Sequence, residues 1–176
     1  LLDNALVVLT SDHGQMFGEH GKWVHRNSLY EEVLRVPLFL RFPGVAPAGT
    51  VVDTPVFTAD VMPTVLDLVG VTAVAPGDGR SLWPAARGQA VEDRDVYLEA
   101  LNANLTRHWA PLAALVAGTA KFIDLPEAEL YDLAADPGET HNAYSDSGSR
   151  AVVEDLWGRL RAWQRETGDP LSLPVP

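Results

Sequence analysis

Ala5-Leu6-Val7-Val8-Leu9-Thr10 is a continuous apolar run that ends abruptly at the polar tetrapeptide Ser11-Asp12-His13-Gly14. A Val/Leu run without polar alternation reads as a strand buried on both faces, the pattern of parallel sheets in α/β proteins. In such sheets ligands bind outside the carboxyl ends of the strands, so the tetrapeptide falls where chemistry is expected. The stretch from Ser11 to His25 holds His13, His20 and His25, three of the five histidines. A carboxylate beside an imidazole can supply two ligands to one divalent cation, the oxygen suiting a hard ion and the nitrogen a softer one. Gly14, Gly18 and Gly21 allow sharp turns and close approach of backbone to a ligand. The same cluster also fits a polar loop in which Asp12 caps a helical turn and the histidines are solvated, and spacing alone does not separate the two readings.

Downstream, Val36 to Arg41 reads as a second strand, with Pro37 at its start and Phe42-Pro43-Gly44 as its stop. Thr58 to Val69 reads as a helix capped by Thr58 or Asp60, with Pro63 in the first turn and Gly70 closing it. Val61, Val65, Leu68 and Val69 would form its buried stripe. From Ala73 to Gly88 the chain is rich in Pro, Gly and Ala and reads as an irregular traverse, which places a boundary between regions 1–88 and 89–176. Beyond it come short β segments, Val96 to Ala100, Leu112 to Ala117, Lys121 to Leu125 and Glu129 to Leu133, with a tight hairpin at Gly118-Thr119. Asp136-Pro137-Gly138 reads as a turn in which Gly138 takes positive φ. Ser149 to Glu166 reads as an amphipathic helix presenting Val152, Leu156, Leu160 and Trp163, and the tail from Gly168 to Pro176 as extended chain.

Composition narrows the function. Thirteen basic against 24 acidic residues give a net charge of −11, which disfavours attraction to phosphate backbones and excludes nucleic acid as a first-choice partner. With no cysteine there is no disulfide framework, thiolate zinc site or cysteine nucleophile in this stretch. The first residues lack an initiator Met and any signal-like pattern, which suggests the interior of a longer protein. No apolar run approaches the ~20 residues of a membrane span.

Six collinear segments carry a family resemblance. Ser11-Asp12-His13-Gly14, Gly18-Glu19-His20-Gly21 and the run from Ser28 through Glu32 to Leu34-Arg35-Val36-Pro37-Leu38 are followed by Asp60 to Gly70, Gly79-Arg80-Ser81-Leu82, and Glu129-Leu130-Tyr131-Asp132-Leu133 with Asp136-Pro137-Gly138-Glu139 and Asn142. Together they resemble the second half of a sulfatase of the alkaline phosphatase superfamily. The resemblance implies an α/β fold: part of an alkaline-phosphatase-like parallel sheet, then a small antiparallel C-terminal subdomain with a terminal helix. It implies a sulfuric ester hydrolase acting on a small-molecule or glycan sulfate ester, with one divalent metal, usually calcium, and a formylglycine nucleophile made from Cys or Ser. It also implies a periplasmic, secreted or membrane-tethered location.

By resemblance, Asp12 matches the late metal-ligand aspartate, and His13 stands where the family has Asn or His near the metal. The nucleophile motif and the early pair of metal aspartates lie upstream in the family, so the expected partner is the missing N-terminal half of the same protein, and this stretch alone is expected to be inactive. The family's sulfate-binding lysine follows the metal aspartate by thirteen positions, where this chain has His25, with Lys22 three residues earlier. A histidine substitutes there if it is protonated or donates a hydrogen bond to the anion. His25 and Lys22 are therefore the candidate substrate contacts. His20 is expected to order the loop through a backbone hydrogen bond, His108 and Trp109 to pack at an edge, and His141 to lie on the surface. Two rival readings accompany this one: a phosphodiesterase or phosphonate monoester hydrolase of the same superfamily, and a catalytically dead binding module that keeps the fold.

Overall fold

The computed structural model describes residues 2–25, 27–72 and 77–168. The parts of the traverse at 73–76 and of the expected extended tail at 169–176 lie outside the described residues. Contacts divide the chain into two units that are discontinuous in sequence. The first holds Leu1–Asp12 and Val36–Arg94, the second His13–Arg35 and Asp95–Pro176. Where the sequence suggested one boundary after residue 88, the chain changes unit at 12/13, 35/36 and 94/95, because residues 13–35, which carry the one-turn helix α1 (Glu31–Leu34), find their packing partners on the second sheet.

In the first unit, β1 (Val7–Thr10) pairs with β2 (Leu38–Arg41), Val7 opposite Arg41 and Thr10 opposite Leu38. The pairing is antiparallel, which corrects the parallel reading of that run. Leu9 and Phe39 are 56% and 66% exposed, so neither strand is buried on both faces within this chain. The α/β class stands. A turn of 3-10 helix at Thr58–Asp60 leads into α2 (Val61–Leu68), and the chain leaves through Gly70 at φ 73. The expected stripe is corrected too: Val61, Val65 and Leu68 are half-buried and Val69 exposed, while Asp60 and Thr64 are buried.

Those buried polar groups clamp the chain that follows. The Asp60 carboxylate accepts from the Phe57 and Arg80 amides, both at 2.8 Å, and faces the Arg94 guanidinium. The Thr64 hydroxyl donates to the Asp60 carbonyl (2.6 Å) and accepts from the Leu82 amide (2.8 Å), while Ser81 Oγ donates to Asp67 (2.6 Å). Positions 60, 64 and 67 share one helix face, so residues 80–82 are tied along it before α3 (Trp83–Ala86) begins.

The second unit is built on four antiparallel strands in the order β3-β4-β5-β6: Val96–Ala100, Leu112–Ala117, Ala120–Asp124 and Glu129–Asp132. Gly118, at φ 58, makes the expected β4–β5 hairpin, Ala117 opposite Ala120. Before β4 lies a short helix absent from the sequence reading, α4 (Asn102–Arg107), ended by His108 in the left-handed region with Trp109 exposed. The sheet is covered on both sides. One face presents Ala114, Ile123 and Tyr131 to Met16, Leu29, Tyr30 and Val33 from the 13–35 segment. The other presents Ala113, Leu115, Phe122 and Leu130 to Leu156 and Leu160 of α5 (Arg150–Thr167). Val152 is exposed, contrary to the expected face, and Trp163 stacks on Tyr97 with ring centroids 3.8 Å apart. Arg161 of α5 reaches Asp124 (2.9 Å) and Gln164 (2.8 Å) in the interior.

The signature after β6 is structural. Asn142 accepts from the Leu130 amide (3.0 Å) and donates to the Ala128 carbonyl (3.2 Å), pinning the edge strand. In the turn, the Glu139 amide donates to the Asp136 carbonyl at 3.1 Å. The positive φ falls on Glu139 (49°) rather than Gly138, a correction with a consequence: the left-handed residue carries a side chain that turns inward and is buried.

Candidate active site

Asp12, in the first unit, lies exposed just past the end of β1 and receives the Ser11 hydroxyl at 3.5 Å. His13 opens the second unit. Its Nδ1 donates to the Gly14 carbonyl at 2.8 Å. A carbonyl only accepts, so the proton sits on Nδ1 and the lone pair of the neutral ring on Nε2, the arrangement of a metal-ligating imidazole.

Residues 15–25 form a turned excursion. Met16 N–H donates to Val24 O and Gly18 N–H to Lys22 O, both at 3.0 Å, and fully buried Met16 anchors the excursion in the core. Gly18 at φ 121 and Gly21 at φ 67 make its tip. His20, between them, takes φ 51, an unfavourable value for a residue with a Cβ. Its ring compensates by stacking on Tyr30 (centroids 3.9 Å) with Nε2 3.6 Å from Glu32. His20 does order the loop, but through its side chain. Two backbone amides, its own and that of Phe17, hold the Glu19 carboxyl below the usual carboxylate range.

The two candidate substrate contacts are held differently. His25 stacks on His13, centroids 4.9 Å apart and planes within 8°. Gln15 Nε2 donates to the Met16 carbonyl (2.9 Å), which turns Gln15 Oε1 toward His25 Nδ1 at 3.0 Å. His25 Nδ1 is therefore a donor, and only the imidazolium has a second N–H, at Nε2, to offer an anion. Lys22 lies with Nζ 4.8 Å from the Tyr30 ring centroid and lines a cleft of about 360 Å³ with Tyr30, Ile123 and Glu129. Tyr30 and Tyr131 both donate to Glu129, at 3.1 Å. Burial, with Glu129 beside it, pushes the Tyr30 phenol up to about 12 and the Tyr131 phenol also above its ordinary range, which keeps both as donors.

Among the described residues no group of three or more His, Cys, Asp or Glu side chains converges as a metal cage. Taken singly, the Asp12 carboxylate and the His13 imidazole with its lone pair on Nε2 are donor types that suit a divalent cation, which would need further oxygens from elsewhere. Sequence reasoning singled out both. It gave no role to Gln15, which orients His25, or to Tyr30, which carries His20 and Lys22; the signal, an aromatic inside a matching segment and an amide just after one, was visible but carried no chemistry by type.

A mixed α/β chain of two sheets, with an Asp-His pair following its first strand, has the architecture of the alkaline-phosphatase-like sulfatases, and its structural neighbours are of that class. The chain belongs to the family described as N-sulphoglucosamine sulphohydrolase, C-terminal, which matches residues 18–166. It is 30% identical over 176 residues to the N-acetylglucosamine-6-O-sulfatase of Bacteroides thetaiotaomicron, covering 96% of this chain and 31% of that protein. It is 40% identical over 180 residues to the choline-sulfatase of Rhizobium meliloti, covering 96% and 33%. A solved structure of a protein in complex with its substrate D-glucosamine-2-N,6-O-disulfate superposes with TM-score 0.83 at 30% identity, over 98% of this chain and 37% of that one. The phosphonate monoester hydrolase of Agrobacterium radiobacter superposes with TM-score 0.76 at 28% identity, over 92% and 35%. The chain thus spans about a third of the length of the curated relatives it matches.

Proposed function

We propose that this chain is the C-terminal portion of a metal-dependent sulfuric ester hydrolase acting on a small-molecule or glycan sulfate ester, in which Asp12 and His13 are ligands to one calcium ion. A formylglycine nucleophile and the remaining ligands come from the preceding part of a longer protein, so the 176 residues alone do not turn over. When bound, the cation supplies charge opposite the sulfate oxygens. The residues of this chain orient the anion: His25, its Nδ1–H engaged by Gln15, presents an Nε2–H in its charged form, and Lys22 adds a second cation from the same excursion. The observation that carries this reading is the stacked His13–His25 pair at the start of the second unit, with both Nδ1 protons assigned.

The test uses the full-length protein with an aryl sulfate. Asp12→Asn is expected to weaken calcium binding and lower kcat/KM by roughly 100-fold, and His25→Ala by roughly tenfold or more, partly restored by His25→Lys. Near-normal kinetics for His25→Ala beside a large loss for Lys22→Ala would reassign the anion contact to Lys22. Normal calcium binding in Asp12→Asn would refute the metal assignment. The likeness to phosphonate monoester hydrolases supports a second reading, hydrolysis of a phosphonate or phosphate ester; a kcat/KM higher on a phenylphosphonate ester than on the aryl sulfate would establish it.

A further inference from the structure

Lys121 is fully buried on the sheet face that meets residues 13–35. Its ammonium lies 2.8 Å from Glu31 Oε1 and 2.7 Å from Glu139 Oε1. The second oxygen of Glu139 accepts the Glu31 amide at 2.6 Å, the first N–H of α1 (Glu31–Leu34). One carboxylate thus engages both a strand side chain and the start of a helix. It arrives there because Glu139 takes left-handed backbone after a turn fastened by Asp136, which accepts from Thr140 Oγ1 (2.9 Å) and the His141 amide (2.8 Å).

The helix so held passes its position on. The Val33 carbonyl accepts the Gly14 amide at 2.8 Å. Gly14 sits so close that an added Cβ would lie 2.0 Å from the Glu32 carbonyl oxygen, which leaves it almost no lateral freedom. His13 and Gln15 flank Gly14, and Gln15 orients His25. Every link lies inside the second unit.

We infer that Lys121 and Glu139 are positioning residues for the His13–His25 pair, acting through α1 and Gly14. The inference rests on the reading that this pair belongs to the active site, but the coupling itself is structural. Burial pushes the Glu139 carboxyl up and the Lys121 ammonium opposes it, so the carboxylate stays in place by virtue of its partner. Lys121 is thus part of the seat rather than a bystander, and replacing either partner should release α1. Met16 and the Tyr30–Glu129 contact anchor the same segment independently, so the unit is expected to stay folded when the ion cluster is weakened.

Two variants of the full-length protein, Glu139→Gln and Lys121→Met, are compared with Leu160→Ala, which removes core on the opposite, α5-facing side of the sheet. Hydrogen exchange at Gly14 and over residues 13–25 is read by mass spectrometry, alongside thermal stability. The expected result is a roughly tenfold or greater acceleration at Gly14 in Glu139→Gln, beyond what its global destabilisation accounts for and absent from Leu160→Ala. Should Lys121→Met fail to fold, Glu139→Gln, whose single amide oxygen cannot serve both Lys121 and the Glu31 amide, still decides the matter. Exchange at Gly14 that tracks global stability equally in Glu139→Gln and Leu160→Ala would overturn the inference. Kinetics form a separate arm: local acceleration with unchanged kcat and KM would leave the coupling standing and refute the catalytic assignment of the histidine pair.

Discussion

Arg161→Met is a sharp probe of how α5 is held. The Arg161 and Asp124 side chains are only 7% and 11% exposed, and the guanidinium meets both Asp124 and Gln164. Removing it leaves the buried Asp124 carboxylate without its guanidinium, a loss of about 3–5 kcal/mol when the carboxylate is charged. Burial already pushes the Asp124 carboxyl above its ordinary value, with Arg161 pulling the other way. A raised carboxyl binds its proton more tightly in the folded state. The stability it contributes is therefore complete below the unfolded value of about 3.9 and is lost as pH rises through the folded one. Without Arg161 that window extends upward, so the variant's loss should be larger at pH 8 than at pH 5 and should shrink as the carboxyl takes up its proton. Urea unfolding followed by the fluorescence of Trp157 and Trp163, both on α5, measures this. Leu160→Ala, costing about 2–5 kcal/mol through a cavity, supplies a pH-independent control. A loss for Arg161→Met that is equal at pH 5 and pH 8 would refute the reasoning.

Gly14→Ala drives a methyl group against the Glu32 carbonyl and should cost about 1–3 kcal/mol, with disturbance of residues 13–25; an unchanged melting temperature would contradict the close packing. Asp60→Ala strips the Phe57 and Arg80 amides and the Arg94 guanidinium of their acceptor, with an expected loss of about 3–5 kcal/mol by thermal melting; Asp60→Asn, which keeps one of the two acceptor oxygens, should lose less. The 176-residue chain by itself should show no aryl sulfatase activity above a denatured control and only weak calcium binding by calorimetry, since Asp12 and His13 cannot satisfy a cation that takes six to eight ligands. Clear turnover or tight binding would sink that expectation.

The second sheet was legible almost residue by residue, because its strands are short, bounded by Gly, Pro and Asp, and joined locally. Direction of pairing was not. The apolar run of β1 suggested a parallel neighbour, yet it pairs antiparallel with β2, while the equally apolar β4 lies inside an antiparallel sheet covered on both faces. A two-sided apolar strand signals two covering layers, and covering layers do not dictate strand direction. At the candidate site, Asp12, His13, Lys22 and His25 stood out by residue type. Gln15 carried no chemistry by type although its partners Met16 and His25 are near in sequence, and the joint role of Lys121 and Glu139 comes from partners as much as 108 positions away. Asp60, expected as a possible helix cap, proved to be a buried hub, because the Arg80 and Arg94 contacts arise only once the chain has folded back.

The covering of one sheet face by residues 13–35 bears on synthesis as well as on the finished structure. Met16, Leu29, Tyr30 and Val33 leave the ribosome long before the strands that bury them, and the Glu31–Glu139 contact closes over 108 positions. At translation rates of about 5–20 residues per second, those apolar side chains wait on the order of 5–20 s for their partners. Through that interval the segment is a nascent hydrophobic stretch with no native surface of its own unit to meet, the condition under which chains aggregate. Slower codons placed between residues 36 and 94 would lengthen the wait and lower the soluble yield.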